Sequence, residues 1–209
     1  LLNIFSNNKE LVDDYYFYTA VGDNVGANYQ IECLIDFLER KKLVCDKNLF
    51  SFFQTQYEKS NYIVFSELFT YGKTFLSNDF DKIIEYLKKD KKEFIVFLDD
   101  VAGAHILDIY IHRKGRLPNS NELDELEYKF FQKVTNWRKK DIKKVKDKLL
   151  NNNIKFLTRS EIFCDYSIKK CPLIKNDNKL YADDGHITNN GAEYFSNKID
   201  LIINRLINN

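Results

Sequence analysis

Near the carboxyl end of the chain, Asp183 and His186 stand three positions apart in the stretch Leu180-Tyr181-Ala182-Asp183-Asp184-Gly185-His186-Ile187-Thr188-Asn189-Asn190-Gly191-Ala192. A carboxylate one short turn from an imidazole can bind one ring nitrogen and leave the other to take a proton as a general base. The same spacing also fits a plain surface turn, with Thr188 capping the helix that follows. A second turn, Val21-Gly22-Asp23-Asn24, closes an apolar run near the other end of the chain. Backbone N–H groups at a tight turn that opens a helix point outward and suit an oxyanion or a phosphate. If these two turns meet, they form a hydrolase-type site.

The elements that must position these residues read as alternating strands and helices. Tyr15-Tyr16-Phe17-Tyr18-Thr19-Ala20-Val21 has the β-branched and aromatic content of a buried strand. Tyr29, Ile31, Leu34, Ile35 and Leu38 then recur at helical spacing. Residues 62–66 predict a second strand, Asn78-Asp79 the cap of a helix carrying Phe80, Ile83, Ile84 and Leu87, and residues 94–98 a third strand ending at Asp99-Asp100. Residues 104–111 show no clear pattern, and 113–120 read as an exposed loop. One long helix is expected from 121 to about 150, its inward stripe formed by Leu123, Leu126, Phe130, Val134, Trp137, Ile142, Val145 and Leu149. A strand at 154–158 and a last helix carrying Phe195, Ile199, Ile202 and Leu206 complete the chain. The expectation is one α/β domain over residues 1–209, a three-layer α/β/α sandwich of flavodoxin-like type with a parallel sheet of about five strands. In such a sheet ligands bind beyond the carboxyl ends of the strands, where Gly22-Asp23-Asn24 and Asp99-Asp100 fall.

Composition narrows the function classes. Thirty-two basic and thirty-one acidic side chains leave a formal charge of +1, so there is no general field for nucleic acid or an anionic membrane. The lysine-rich stretches 88–92 and 139–148 are interleaved with acidic residues and read as solvated helix surface. No apolar run is long enough to span a bilayer, and residues 1–5 lack a signal-peptide pattern. The chain begins with Leu and contains no Met, which leads us to expect a segment of a longer protein. His105 and His112 lack a third ligand at fitting spacing, and no metal or cofactor is expected. Cys33, Cys45, Cys164 and Cys171 include no C-x-x-C pair. Cys164 and Cys171 enclose a polar loop that would close as a disulfide in an oxidising compartment, or remain open as two thiols in the cytosol.

Taken together, the two turns resemble the SGNH hydrolase family, and within it the extracytoplasmic SGNH domains attached to membrane-bound sugar O-acyltransferases. In that family a Gly-Asp-Ser turn follows the first strand, and the closing block reads D-x-x-H-[LI]-[ST]-x-x-G-[AS]. Residues 183–192 match this block at every fixed position. The resemblance extends from about Tyr18 to Leu206, and Cys164 and Cys171 look like the cysteine pair of that subgroup. It implies that His186 is the base, Asp183 its orienting acid and Asn24 the occupant of the nucleophile position. Gly22, Asp23 and Ser66 are the positions from which oxyanion or substrate contacts are expected.

The departure is at Asn24. A carboxamide has no hydroxyl to activate, which closes the usual acyl-enzyme route in the sequence as it stands. The expected function is O-acetyl transfer to, or acetyl-ester cleavage on, a cell-surface glycan, with the nucleophile position inactive or deliberately altered. A glycan acceptor, an acyl donor and a membrane-bound acyltransferase domain of the same longer chain are the implied partners, at the periplasmic or extracellular face of a membrane. The alternative is a non-catalytic glycan-binding or scaffolding domain of the same fold. A flavodoxin-like nucleotide binder, with phosphate at the Gly22 turn, is a third reading.

Overall fold

The structure, a computed structural model, describes residues 34–39, 51, 55, 57, 59, 62–68, 75–101, 103–183, 186–196 and 198. The expected strand at 15–21, the Gly22-Asp23-Asn24 turn, most of the helix expected around 29–42, and Cys33 and Cys45 lie outside the described residues.

Among the described residues the named elements are β1 (Tyr62–Leu68), α1 (Asn78–Lys89), β2 (Glu93–Asp99), α2 (Ile106–Lys114), α3 (Ser120–Asn136), α4 (Lys139–Asn151), β3 (Lys155–Thr158), α5 (Arg159–Phe163), β4 (Ile174–Lys175) and β5 (Asn178–Lys179). Residues 189–196 are helical as well. The fold is α/β. Among the described residues one sheet has the order β1-β2-β3, and β4 and β5 form a separate antiparallel pair. Phe94, Ile95, Val96, Phe97 and Leu98 are all buried, so neither face of β2 meets water, as befits a strand covered on both sides.

The chain clusters into two compact units. One comprises Leu1–Tyr15, Asp99–Lys140 and Leu157–Asn209; the other comprises Tyr16–Leu98 and Asp141–Phe156. In the second unit the core is aromatic: Phe80 lies 5.2 Å from Phe75, 5.8 Å from Phe65 and 5.8 Å from Phe94 between ring centroids. Ser77 caps α1, its side chain accepting from the Phe80 N–H at 3.2 Å, so the cap sits one residue before the expected Asn78-Asp79. Asp79 and Asp81 in the first turn and Lys88 and Lys89 in the last complement the helix dipole. Lys148 of α4 reaches back to Asp81 at 2.8 Å.

The single helix expected from 121 to 150 is two helices. At Trp137 the backbone turns extended (φ −66°, ψ 121°), and Arg138 takes a left-handed φ of 43° before α4 begins. Val145 and Leu149 of α4 are buried. Trp137 is half-buried, with the Arg138 guanidinium 5.9 Å from its ring.

Residues 104–111, without a clear pattern in sequence, contribute to α2, which ends when Gly115 adopts φ 67° and donates its N–H to Ile111 O at 2.8 Å. The exposed loop is therefore shorter than expected, covering 115–119. His105 precedes α2 and His112 lies within it. Among the described residues there is no cluster of three or more His, Cys, Asp or Glu side chains suited to a metal ion. Among them, too, no helix is long and apolar enough to cross a membrane.

Candidate active site

Asp183 and His186 sit on a short excursion between two paired positions. Tyr181 bridges Ile187 in antiparallel fashion, and the chain leaves and returns across that bridge. The Ala182 N–H donates to His186 O at 2.9 Å, closing the excursion from inside. Asp183 then holds His186 twice. Its Oδ1 accepts the His186 backbone N–H at 2.8 Å, and its two carboxylate oxygens lie 2.9 and 2.8 Å from His186 Nδ1. A carboxylate only accepts, so Nδ1 is the nitrogen that carries hydrogen toward Asp183, and in the neutral ring Nε2 then keeps an unshared pair. The His186 side chain is 80% exposed and that of Asp183 59%, so this nitrogen is open to solutes.

Directly after the histidine, Thr188 locks the return. Its N–H donates to Leu180 O at 3.0 Å and its hydroxyl to Lys179 O at 2.7 Å, while Oγ1 accepts the Gly191 N–H at 3.0 Å as an N-cap. Gly191 is required by close approach: a Cβ there would stand 2.1 Å from Leu180 O. The spacing from histidine through threonine to glycine thus has a physical reason at each fixed position.

Below the excursion lies an aromatic floor. Tyr181, buried, meets Phe130 at 5.4 Å and Phe163 at 5.7 Å, and Phe163 stacks on Phe195 at 4.3 Å. Burial pushes the Tyr181 hydroxyl far above its ordinary range, with Arg159 opposing that shift.

The segment leading into this loop is fastened by the expected Cys164–Cys171 disulfide and by devices that sequence reading missed. β4 and β5 are joined by Asn176 and Asp177, both at positive φ (49° and 58°), the conformation of a two-residue hairpin turn that Asn and Asp tolerate. The Leu180 N–H continues the pairing by donating to Leu173 O at 3.0 Å. Upstream, Cys164 and Cys171 form a disulfide with Cα atoms 4.0 Å apart. Within its loop the Asp165 carboxylate accepts from Ser167 and Ile168, and the Ser167 hydroxyl holds that carboxyl below its usual range. Glu127 of α3 is buried and accepts the Leu173 N–H at 3.0 Å; burial raises its carboxyl above the ordinary range, partly offset by that N–H and by Lys170.

Asp100, one residue past β2, is buried, and it serves the start of α5. Its carboxylate accepts the Ser160 N–H at 2.8 Å and the Ser160 hydroxyl at 2.6 Å. Tyr166 adds its hydroxyl to Ser160 Oγ at 3.0 Å. Asp100 is therefore engaged in structure, although the end of a strand suggested a ligand site. Ser66 falls within β1, which runs two residues beyond the expected 62–66; the contact expected of its side chain lies outside the described residues, as do Gly22, Asp23 and Asn24.

Comparison with known proteins bears on the same stretch. Residues 28–200 match the family model described as the SGNH domain, fused to AT3 domains. No curated protein sequence matches the chain. Among solved structures, the chain is similar to the periplasmic domain of a lipopolysaccharide acetyltransferase from Salmonella ser. Paratyphi A, with 14% identity and a TM-score of 0.46 over 75% of this chain and 62% of that one. The chain thus spans less than two thirds of that domain's length.

Proposed function

The chain belongs to the SGNH domains that occur fused to AT3 domains, and from that membership we propose that it serves O-acetyl transfer to, or acetyl removal from, a cell-surface glycan. The observation that carries this reading is the double hold of Asp183 on His186, which fixes the ring and leaves Nε2 outward. In this reading His186 is the general base, Asp183 orients it and stabilises the imidazolium, and Asn24 stands at the nucleophile position. Gly22 and Asp23 with the Asn24 N–H supply the oxyanion cradle, and Ser66 a further substrate contact. The sheet continues through the strand at 15–21 to about five parallel strands in a three-layer single domain. The domain works at the periplasmic or extracellular face, beside a membrane-bound acyltransferase domain that delivers the acyl group.

With a hydroxyl at position 24, its oxygen would attack the acyl carbonyl as its proton passed to His186 Nε2, and the imidazolium would return that proton to the departing alcohol. Asn24 cannot do this. As written, the chain is either inactive through an altered nucleophile or uses an acceptor hydroxyl or water directly: His186 takes the proton of the attacking oxygen as it bonds to the acyl carbon, and the imidazolium returns that proton to the donor's departing oxygen as its bond to the acyl group breaks.

The missing hydroxyl favours one second reading, a glycan-binding or scaffolding domain that keeps the fold without catalysis. Asn24→Ser separates the two. Cleavage of a small acetyl ester by this variant, absent again once His186→Ala is added, supports the enzyme; unaltered glycan binding with no cleavage supports the binding module.

A further inference from the structure

We propose that Glu127 is a positioning residue for the Asp183–His186 pair, acting through a ladder of three hydrogen bonds that ties the histidine loop to α3. The first rung is the Leu173 N–H on Glu127 Oε1 at 3.0 Å, the second the Leu180 N–H on Leu173 O at 3.0 Å, and the third the Thr188 N–H on Leu180 O at 3.0 Å. Thr188 is two residues from His186, and Leu180 is three from Asp183. Pro172 has no N–H to offer, so the segment presents only the amides on either side of it, and Glu127 takes both. Its side chain binds Leu173, and its backbone oxygen accepts the Cys171 N–H at 3.4 Å. One turn earlier on α3, Asp124 binds Lys170 at 2.5 Å, so the same helix face clamps residues 170–173.

A charge-bearing group is costly to bury unless something specific needs it. Here the need is an acceptor reaching out of α3 to an amide that no strand partner serves. Leu173 and Leu180 are both fully buried, so an amide left unpaired there cannot turn to water. The ladder then loosens at its base, and the exposed loop at its far end loses the frame that holds the imidazole against Asp183.

The catalytic consequence rests on the reading above, but the positional claim is measured without activity. In the full chain, nitrogen shifts of the His186 ring report its tautomer, and hydrogen exchange reports the Leu180 and Thr188 amides. Glu127→Ala is expected to lose protection at both amides and to shift the ring from the Nδ1–H form toward the mixture of a free imidazole. Glu127→Gln, which keeps an acceptor oxygen in place, is expected to retain both. Glu127→Asp withdraws the acceptor by one methylene and should behave as Ala does, which keeps the test alive if Glu127→Ala does not fold. Val134→Ala, a cavity variant at a buried position of the same helix, should leave both readouts unmoved. Unchanged protection and tautomer in Glu127→Ala or Glu127→Asp would overturn the proposal, as would Gln behaving like Ala or Val134→Ala producing the same shift. If Glu127→Ala moves His186 as expected while Asn24→Ser cleaves no ester, the positional claim stands and the catalytic reading falls.

Discussion

Asp183 binds two different atoms of His186, the backbone N–H at 2.8 Å and ring Nδ1 through both carboxylate oxygens. One side chain therefore sets both the path of the main chain and the orientation of the imidazole. Removing it should separate these effects from the rest of the fold. Asp183→Ala is expected to leave the aromatic floor around Tyr181 intact while the His186 ring loses its single tautomer, read from its nitrogen shifts. A ring that keeps its Nδ1–H form in this variant would show that Asp183 does not orient it.

Gly191 offers a steric test of the same loop. A methyl group at this position meets the Leu180 carbonyl oxygen at 2.1 Å, and backbone cannot swing aside as a flexible side chain would. Overpacking of this kind costs about 1–3 kcal/mol. Gly191→Ala should lower Tm by roughly 2–4 °C per kcal/mol for a chain of this size, measured by calorimetry, and should expose the Thr188 amide to exchange.

How much of this was legible in sequence varies from residue to residue. The proximity of Asp183 and His186 was readable because three positions along one turn leave little freedom. β2 was readable because a continuous apolar run has few other uses. α2 was not: Ile106, Leu107, Ile109, Tyr110 and Ile111 spread over about 200° of the helix, with Arg113 and Lys114 falling inside the same arc, and only Leu107 is buried, so no clean stripe marks it. The break at Trp137 left no trace in the stripe, because Val134 and Val145, eleven residues apart, would share a face in an unbroken helix too. Glu127 left none, since a glutamate in a charged helix looks solvated until the residue it holds, forty-six positions away, is known. The Asn176-Asp177 pair was a turn signal that went unused. Asn24, the occupant of the nucleophile position in the proposed reading, stood out only through resemblance to a family motif, because an asparagine after Gly-Asp has no intrinsic signature of a displaced nucleophile.

The disulfide should stabilise the loop that carries the chain toward the hairpin. Closing an eight-residue loop restricts the unfolded chain by about 2.5 kcal/mol in the chain-entropy picture. Both half-cystines are buried, so replacing them also leaves unfilled space. Cys164→Ser with Cys171→Ser is expected to lower stability by at least that amount in denaturant titration; equal midpoints with and without the pair would contradict it.

A pH dependence follows at the start of α3. Arg116 grips Glu122 with both guanidinium nitrogens, at 2.7 and 2.8 Å, and the Asn119 N–H adds a third bond at 2.9 Å. Led by Arg116, these bonds hold the Glu122 carboxyl down to about 2. Because the folded value lies below the unfolded one, the contribution is full above the unfolded range near about 4.3 and is lost as pH falls from there through the folded value. A carboxyl-carbon NMR titration should place Glu122 near the lower value, and Arg116→Ala should return it toward the ordinary range.

The central claim, that Asp183 and His186 form an orienter and base for acyl chemistry, is tested most directly by steady-state esterase kinetics after restoring the hydroxyl. Rates on a small acetyl ester between about pH 6 and 9 are compared for Asn24→Ser and for Asn24→Ser with Asp183→Asn. We expect measurable kcat/KM in the first and a loss of roughly 10³–10⁴-fold in the second, the scale seen when a triad loses its orienting charge. No cleavage by Asn24→Ser, or equal rates in the two, would contradict the account.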